Sequence, residues 1–247
     1  MRRLRRSRPL IAFAGMDGSG KSTQVALLRE HLEARGWRTE VAWTRLEWTT
    51  LWESSGRLER IAAPVNWLLG RSEQPSPQVA GEPVGAAGFS APRTATTPAA
   101  RLRRRSALLT HVWVFIVAAV HAGQQREAVR SASAPGTVVI CDRYTLDAVV
   151  GLRRRYGEQR RFAPQAKLLE LLSPRPVVAW HVDVPASVAK ARRDEGFSDE
   201  DLDSLAAIYG EERARLGWRR LDGALPASAL AGEVARITDS ALGALRS

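Results

Sequence analysis

Residues 15–22 read Gly15-Met16-Asp17-Gly18-Ser19-Gly20-Lys21-Ser22, three glycines followed at once by a lysine and a hydroxyl. The spacing is Gly-x4-Gly-Lys-Ser, a loop that can cradle the phosphates of a nucleotide. Glycines let the backbone curl until successive N–H groups face one anion. A helix opening at the end of the loop adds the partial positive charge of its N-terminus. In such an arrangement Gly15, Met16, Asp17, Gly18, Ser19, Gly20, Lys21, Ser22 and Thr23 would surround the phosphates of ATP. The Lys21 ammonium would face the β and γ phosphates, and the Ser22 hydroxyl would reach Mg²⁺.

Two further groups of residues suit the same chemistry. Phosphoryl transfer needs in-line positioning and neutralisation of charge on the moving group. Asp142 ends the apolar run 138–141 and could hold the water shell of the loop's Mg²⁺. Arg143 beside it could grip an acceptor phosphate with both arms of its guanidinium; an ordinary charge at a strand end is the alternative. Arg192 and Arg193 begin a polar stretch, 192–201, that contains Gly196 and reads as a mobile lid. Lid arginines could supply positive charge to the transferred group, although a solvated helix face in an arginine-rich chain explains them too.

The elements that must position these residues alternate. Residues 10–14 are continuously apolar, the pattern of a central parallel strand. Further strands are expected at 37–43, 138–141 and 176–182, with a weaker one at 218–221. Helical periods cover 22–35, 106–130, 146–156, 165–172, 186–194, 198–216 and 227–245. The alternation predicts an α/β protein with a P-loop kinase fold: a parallel sheet of about five strands with helices on both faces, in one domain spanning 1–247. Residues 72–100, rich in Pro, Ala, Gly, Ser and Thr, read as a disordered insertion that cannot bury enough surface to order itself.

Composition narrows the classes. The chain has 247 residues and a formal net charge of +11, almost all of it from arginine, since lysine occurs only at Lys21, Lys167 and Lys190. Such a field suits anionic partners in general. The arginine run at residues 2–8 reads as a solvated lead-in, with a nucleic-acid or membrane contact as the less favoured reading. The apolar stretch 107–122 is shorter than a spanning helix needs and is expected to be a buried core helix. One cysteine, Cys141, excludes an internal disulfide and a cysteine metal cluster, and a cytoplasmic setting follows as the simple expectation. Asn66, the only asparagine, is followed by Trp67, so the Asn-Lys-x-Asp guanine signature of GTPases is absent, as is the transporter signature Leu-Ser-Gly-Gly-Gln.

Taken together, these segments resemble thymidylate kinases, the P-loop nucleoside monophosphate kinases that convert dTMP to dTDP. Residues 13–24 resemble that family's phosphate loop with its internal acidic residue, here Asp17. Residues 139–144, Val-Ile-Cys-Asp-Arg-Tyr, resemble its strand ending in Asp-Arg-Tyr. Residues 181–193 resemble its fourth strand, its Asp-Val-Pro turn and the start of its lid, and residues 221–226 its last strand and closing helix. The resemblance implies ATP and Mg²⁺, a phosphorylated acceptor near Asp17, Arg45 and Arg143, and charge-stabilising arginines on the lid at Arg192 and Arg193. It also implies a homodimer as the common state of the family. The chain departs from the pattern after Arg45, where Leu-Glu-Trp-Thr-Thr stands in place of Glu-Pro-Gly-Gly. It departs again in 107–114, which lacks the arginine the family lays over thymine.

Three functions stay open from these residues. One is transfer of the ATP γ-phosphoryl group to dTMP or another nucleoside monophosphate. A second is the same fold acting on a different small acceptor, with Trp48, Trp52, Trp67 and Trp113 as pocket candidates. A third is an ATP-binding regulatory protein with little turnover that touches polyanions through its arginine clusters.

Overall fold

A computed structural model describes residues 9–43, 107–156, 159–192 and 197–245. The insertion expected at 72–100, Arg45, Arg193, and Trp48, Trp52 and Trp67 lie outside the described residues. The chain divides into two compact units, 1–46 with 118–247, and 47–117. The sheet and the phosphate loop belong to the first.

Strand β1 (Leu10–Ala14) is buried at every position. It lies at the centre of an all-parallel sheet with β2 (Arg38–Trp43), β3 (Thr137–Asp142), β4 (Val178–Asp183) and β5 (Arg219–Asp222), in the order β2-β3-β1-β4-β5. Side chains alternate between the two faces. Leu10, Ala12, Ala14, Val139 and Cys141 pack on one side with Leu146, Val150, Leu205 and Tyr209. Ile11, Phe13, Val138, Ile140, Trp180 and Val182 pack on the other with Val25, Leu28, Leu32, Leu230 and Val234. The first layer therefore contains α3 (Thr145–Tyr156) and α6 (Asp199–Leu216), and the second α1 (Lys21–Ala34) and α7 (Ala227–Ala244). Both faces of β1 are covered, which is why its sequence is apolar without alternation.

Three further helices complete the described elements: α2 (Ala107–Ala132), α4 (Gln159–Leu172) and the short α5 (Ala186–Arg192). Helix α4 begins six residues before the expected 165, with Pro164 inside it and a break at Phe162 (φ −117°, ψ 18°). Proline removes one amide and stiffens the residue before it, so the apolar period reads as a later start. Helix α2 departs from the expectation of a buried core helix. Val114, Val117, Ala118, His121 and Ala122 are buried, but Leu108, Leu109, Val112, Phe115 and Ile116 are exposed. The helix is apolar all round and buried on one side, which periodicity alone does not distinguish from full burial. It is the one described helix long and apolar enough to cross a membrane, a test that core helices also pass.

Parallel order also brings the working residues to one edge. Phe13 is in register with Asp142, and Ala14 with His181, so the carboxyl ends of β1, β3 and β4 finish together. In open α/β sheets this end is where ligands bind.

Candidate phosphate-binding site

The loop leaves β1 at Gly15 and enters α1 through Gly20. Gly15 (φ 145°) has no room for a side chain, since a β-carbon there would lie 2.5 Å from the Val182 carbonyl oxygen. Gly18 (φ 80°) is equally constrained, 2.5 Å from the carbonyl oxygen of Ala189. The loop is thus pressed against the end of β4 and against α5, and glycine is required by contact as well as by backbone angle. Gly20 sits at the N-cap of α1 in the left-handed region and offers no side chain to cap the helix. The first-turn amides have no acceptor inside the helix, so the loop opens onto the geometry of an anion site.

Lys21 is buried, and its ammonium turns into the loop and donates to the Met16 carbonyl oxygen at 2.6 Å. The Ser19 hydroxyl lies 3.5 Å from the same nitrogen, and the Ser19 amide donates to Met16 O at 3.2 Å. Met16 itself is buried in the core beneath the loop. Its side chain anchors the curl while its carbonyl holds the cation. Thr23 is exposed on the first turn of α1.

Ser22 Oγ donates to Asp142 Oδ2 at 2.6 Å, a contact between residues 120 positions apart. The second carboxylate oxygen, Asp142 Oδ1, is buried and has no hydrogen-bond partner among the described residues. A buried carboxylate oxygen left without a donor is costly unless a cation or water meets it. One hydroxyl and one carboxylate, both hard oxygen donors beside a loop for phosphates, fit Mg²⁺, which takes few protein ligands and shares the rest with water and phosphate. Next along β3, the Cys141 thiol is buried and pushed up to about 12, by burial first and by the neighbouring Asp142 charge second. It is a core side chain and not a reactive thiol.

Arg143 adopts φ 70°, the only non-glycine residue with positive φ among the described residues. Such a conformation costs on the order of 1–2 kcal/mol and persists only where surrounding contacts hold it. Here the Arg143 amide still donates to Phe13 O at 2.9 Å, extending the strand ladder by one bond. The reversal turns its side chain into the protein, where the guanidinium pairs with Asp17 across the loop. Both partners are largely buried, with side-chain exposures of 8% and 12%, so the pair is desolvated and locally rigid.

Arg192, the last residue of α5, is exposed and donates from Nη1 to the Gly223 carbonyl at 2.9 Å. Gly223 follows β5 and packs on the phosphate loop: a β-carbon there would meet Ser19 O at 2.9 Å. Arg192 is therefore tied to a turn that touches the loop at Ser19. Trp113 lies on α2, half-buried, in the unit that does not contain the loop.

One residue in this cluster carries no sequence signal. Asp147 is buried, and its carboxylate accepts from the Gly15 amide at 3.2 Å and from the Tyr144 amide at 2.9 Å. An acidic residue in the first turn of α3 reads as a helix-capping charge. Only the fold brings it to Gly15.

No known family model matches the chain, and no curated protein matches it.

Proposed function

We propose that this protein is a P-loop phosphotransferase that moves the γ-phosphoryl group of ATP to a nucleoside monophosphate, with dTMP as the first acceptor to test. The observation that carries the reading is the pairing of Ser22 with Asp142, which leaves the other carboxylate oxygen buried without a hydrogen-bond partner among the described residues. A P-loop that merely packs would not need that orphan.

The residues divide the work. Loop amides and the N-terminus of α1 bind and orient the phosphates. Lys21 exchanges its Met16 contact for the β and γ oxygens, keeping its charge within the curl. Ser22 and Asp142 would hold Mg²⁺, which when bound neutralises and orients the phosphate oxygens. Arg143 lies across the loop beside Asp17, where its guanidinium can take an acceptor phosphate while Asp17 keeps it from turning away. Arg192 supplies further positive charge from the end of α5, with Arg193 after it in sequence. The likeness of residues 13–24 and 139–144 to thymidylate kinases supports a nucleotide as acceptor; Arg45 is the third acceptor candidate on the same ground.

The test is ADP release from ATP and Mg²⁺ with a panel of nucleoside monophosphates and other small phosphorylated acceptors. Turnover confined to dTMP or a related monophosphate is the expected result, and Lys21→Ala removes it. Absence of acceptor-dependent ADP release across the panel overturns the proposal.

A further inference from the structure

We infer that Asp147 and Tyr209 form a positioning pair that locks the entry of the phosphate loop and the Arg143 turn to helix α6. The inference rests on the reading of residues 15–22 as a nucleotide-binding loop.

The pair engages both polar groups of one peptide unit's neighbourhood. Asp147 Oδ1 accepts from the Gly15 amide at 3.2 Å and from the Tyr209 hydroxyl at 2.8 Å. The same hydroxyl lies 3.3 Å from the Gly15 carbonyl oxygen. Gly15 is thus held at its N–H by the carboxylate, and the one phenol proton, directed mainly at that carboxylate, is shared with the Gly15 C=O. On its remaining side it abuts Val182, so its orientation is determined from three directions. Asp147 Oδ2 accepts from the amide of Tyr144, the residue after the left-handed Arg143. Arg143 Nη1 lies 4.0 Å from Asp147 Oδ1. One buried carboxylate therefore holds the first residue of the loop and the strained turn that aims Arg143.

Tyr209 is itself immobilised. It is 1% exposed, and its ring stacks on His181 with centroids 5.2 Å apart and planes 7° from parallel. Burial raises the Tyr209 hydroxyl well above its ordinary range, so it remains a donor throughout the neutral and mildly alkaline range. Helix α6 starts at Asp199, capped by the Ser198 hydroxyl, at the end of the stretch 192–201. Tyr209 is a direct tie from that helix to the loop. Catalytic groups must be held to within a fraction of an ångström, and a misplacement of about 1 Å costs roughly 100-fold in rate. A residue that never touches a phosphate can act through this constraint.

The experiment compares Tyr209→Phe, Asp147→Asn and the double variant in the full chain. Tyr209→Phe keeps the ring and the stack and deletes only the hydroxyl. Asp147→Asn keeps the size but offers one acceptor oxygen and an NH₂ group to three facing donors. Calorimetry measures Mg·ADP affinity, steady-state assays measure kcat and KM, and thermal unfolding measures the folded fraction. Tyr209→Phe is expected to weaken Mg·ADP about 5-fold and to lower kcat about 10-fold while remaining folded at the assay temperature. Asp147→Asn is expected to lower kcat about 100-fold, and the double variant to be no worse than Asp147→Asn, because the pair acts as one unit. Folded variants with wild-type Mg·ADP affinity and turnover overturn the inference. So do losses that multiply in the double variant, since the two residues would then act separately. Should Asp147→Asn fail to fold, Tyr209→Phe alone decides, with unchanged affinity as the overturning result. Wild-type protein that binds Mg·ADP without turning over any acceptor sinks the phosphotransferase reading alone, and the affinity comparison still tests the pair.

Discussion

The loop end of the sheet and the α5 side of the site are built by opposite means. Around the loop, Lys21, Asp142, Arg143 and Asp147 are all less than a tenth exposed; Lys21 is held inside the loop by Met16, and the other three each meet a partner from a distant part of the chain. On the α5 side, Arg192 is exposed and donates to a backbone carbonyl. Nearby charges pair at the surface, Lys190 with Asp199 and Arg220 with Asp183. Buried pairs are rigid and expensive to break, whereas exposed pairs contribute little and exchange readily. Under the proposed function, the difference suits a site in which one half is in place before a nucleotide arrives and the other moves. Damage to the loop half should therefore reach both folding and binding. Damage to the α5 half should reach turnover alone.

The largest expected effect breaks the rigid half outright. Lys21→Ala should lower turnover by about 1,000-fold or more, because the loop loses the charge that faces the phosphates; a stopped assay for ADP measures it. Asp142→Asn keeps the shape but removes the negative charge beside Ser22. It should cost roughly 100-fold in kcat and raise the Mg²⁺ concentration for half-maximal rate at least about 10-fold. A magnesium titration at saturating ATP distinguishes this from simple unfolding.

Two glycines sharpen the comparison within the loop itself. Gly18→Ala places a methyl 2.5 Å from a backbone oxygen at φ 80°, whereas Gly20→Ala meets nothing within 4 Å at φ 94°. The first should destabilise by about 2–3 kcal/mol, from clash plus strain, and the second by about 1 kcal/mol, from strain alone. Chemical denaturation measures the gap, and equal losses at both positions would contradict the packing described for Gly18.

Buried histidines supply a pH test, and one of them, His181, belongs to the rigid half. His181 is lowered to about 4, by burial first, against opposing pulls from Asp183 and Asp147 and reinforcing ones from Arg213 and Lys21. Its Nδ1 is buried without a partner among the described residues. His121, on α2, is also lowered to about 4 by burial. Both are neutral in the folded state at neutral pH. The unfolded chain takes up protons near pH 6.5 while the folded chain resists until about pH 4, so stability is full above 6.5 and falls as pH drops between those values. The loss is roughly 3 kcal/mol for each histidine by pH 4. Thermal unfolding from pH 7 to 4 should show it, and His181→Gln should remove about half of the slope.

The smallest effect belongs to the exposed half. Arg192→Ala should lower kcat about 10-fold and leave the unfolding midpoint within a degree or two, because an exposed side chain contributes little to folding. A large drop in stability would show that the Gly223 contact is structural and would erase the contrast with the loop.

Much of the rigid half was legible beforehand because it is local. Five strands and the helices between them followed from runs of apolar residues, and the loop followed from its spacing. The motif spacing and the strand end singled out Ser22, Lys21 and Asp142, and the fold brings Ser22 to Asp142 with Lys21 turned into the loop. Local pattern said less where two explanations share one signature. Helix α2 is apolar on both sides, so its period could not reveal that one side is exposed. Proline hid the true start of α4 for a similar reason.

The amino-acid sequence by itself determined that residues 15–22 form a phosphate-type loop between a strand and a helix, since glycine spacing and apolar runs act over a few residues. Only the tertiary structure decided what holds that loop. Asp147 reaches Gly15 across 132 positions and Tyr209 reaches it across 194. Aspartate in a helix's first turn and tyrosine on a helix face are common, and nothing in their neighbours marks them. The parallel order β3-β1-β4 brings α3 and α6 onto the same face as the loop's entry, and there a buried donor must find a buried acceptor. That requirement, imposed by burial, selects the pair.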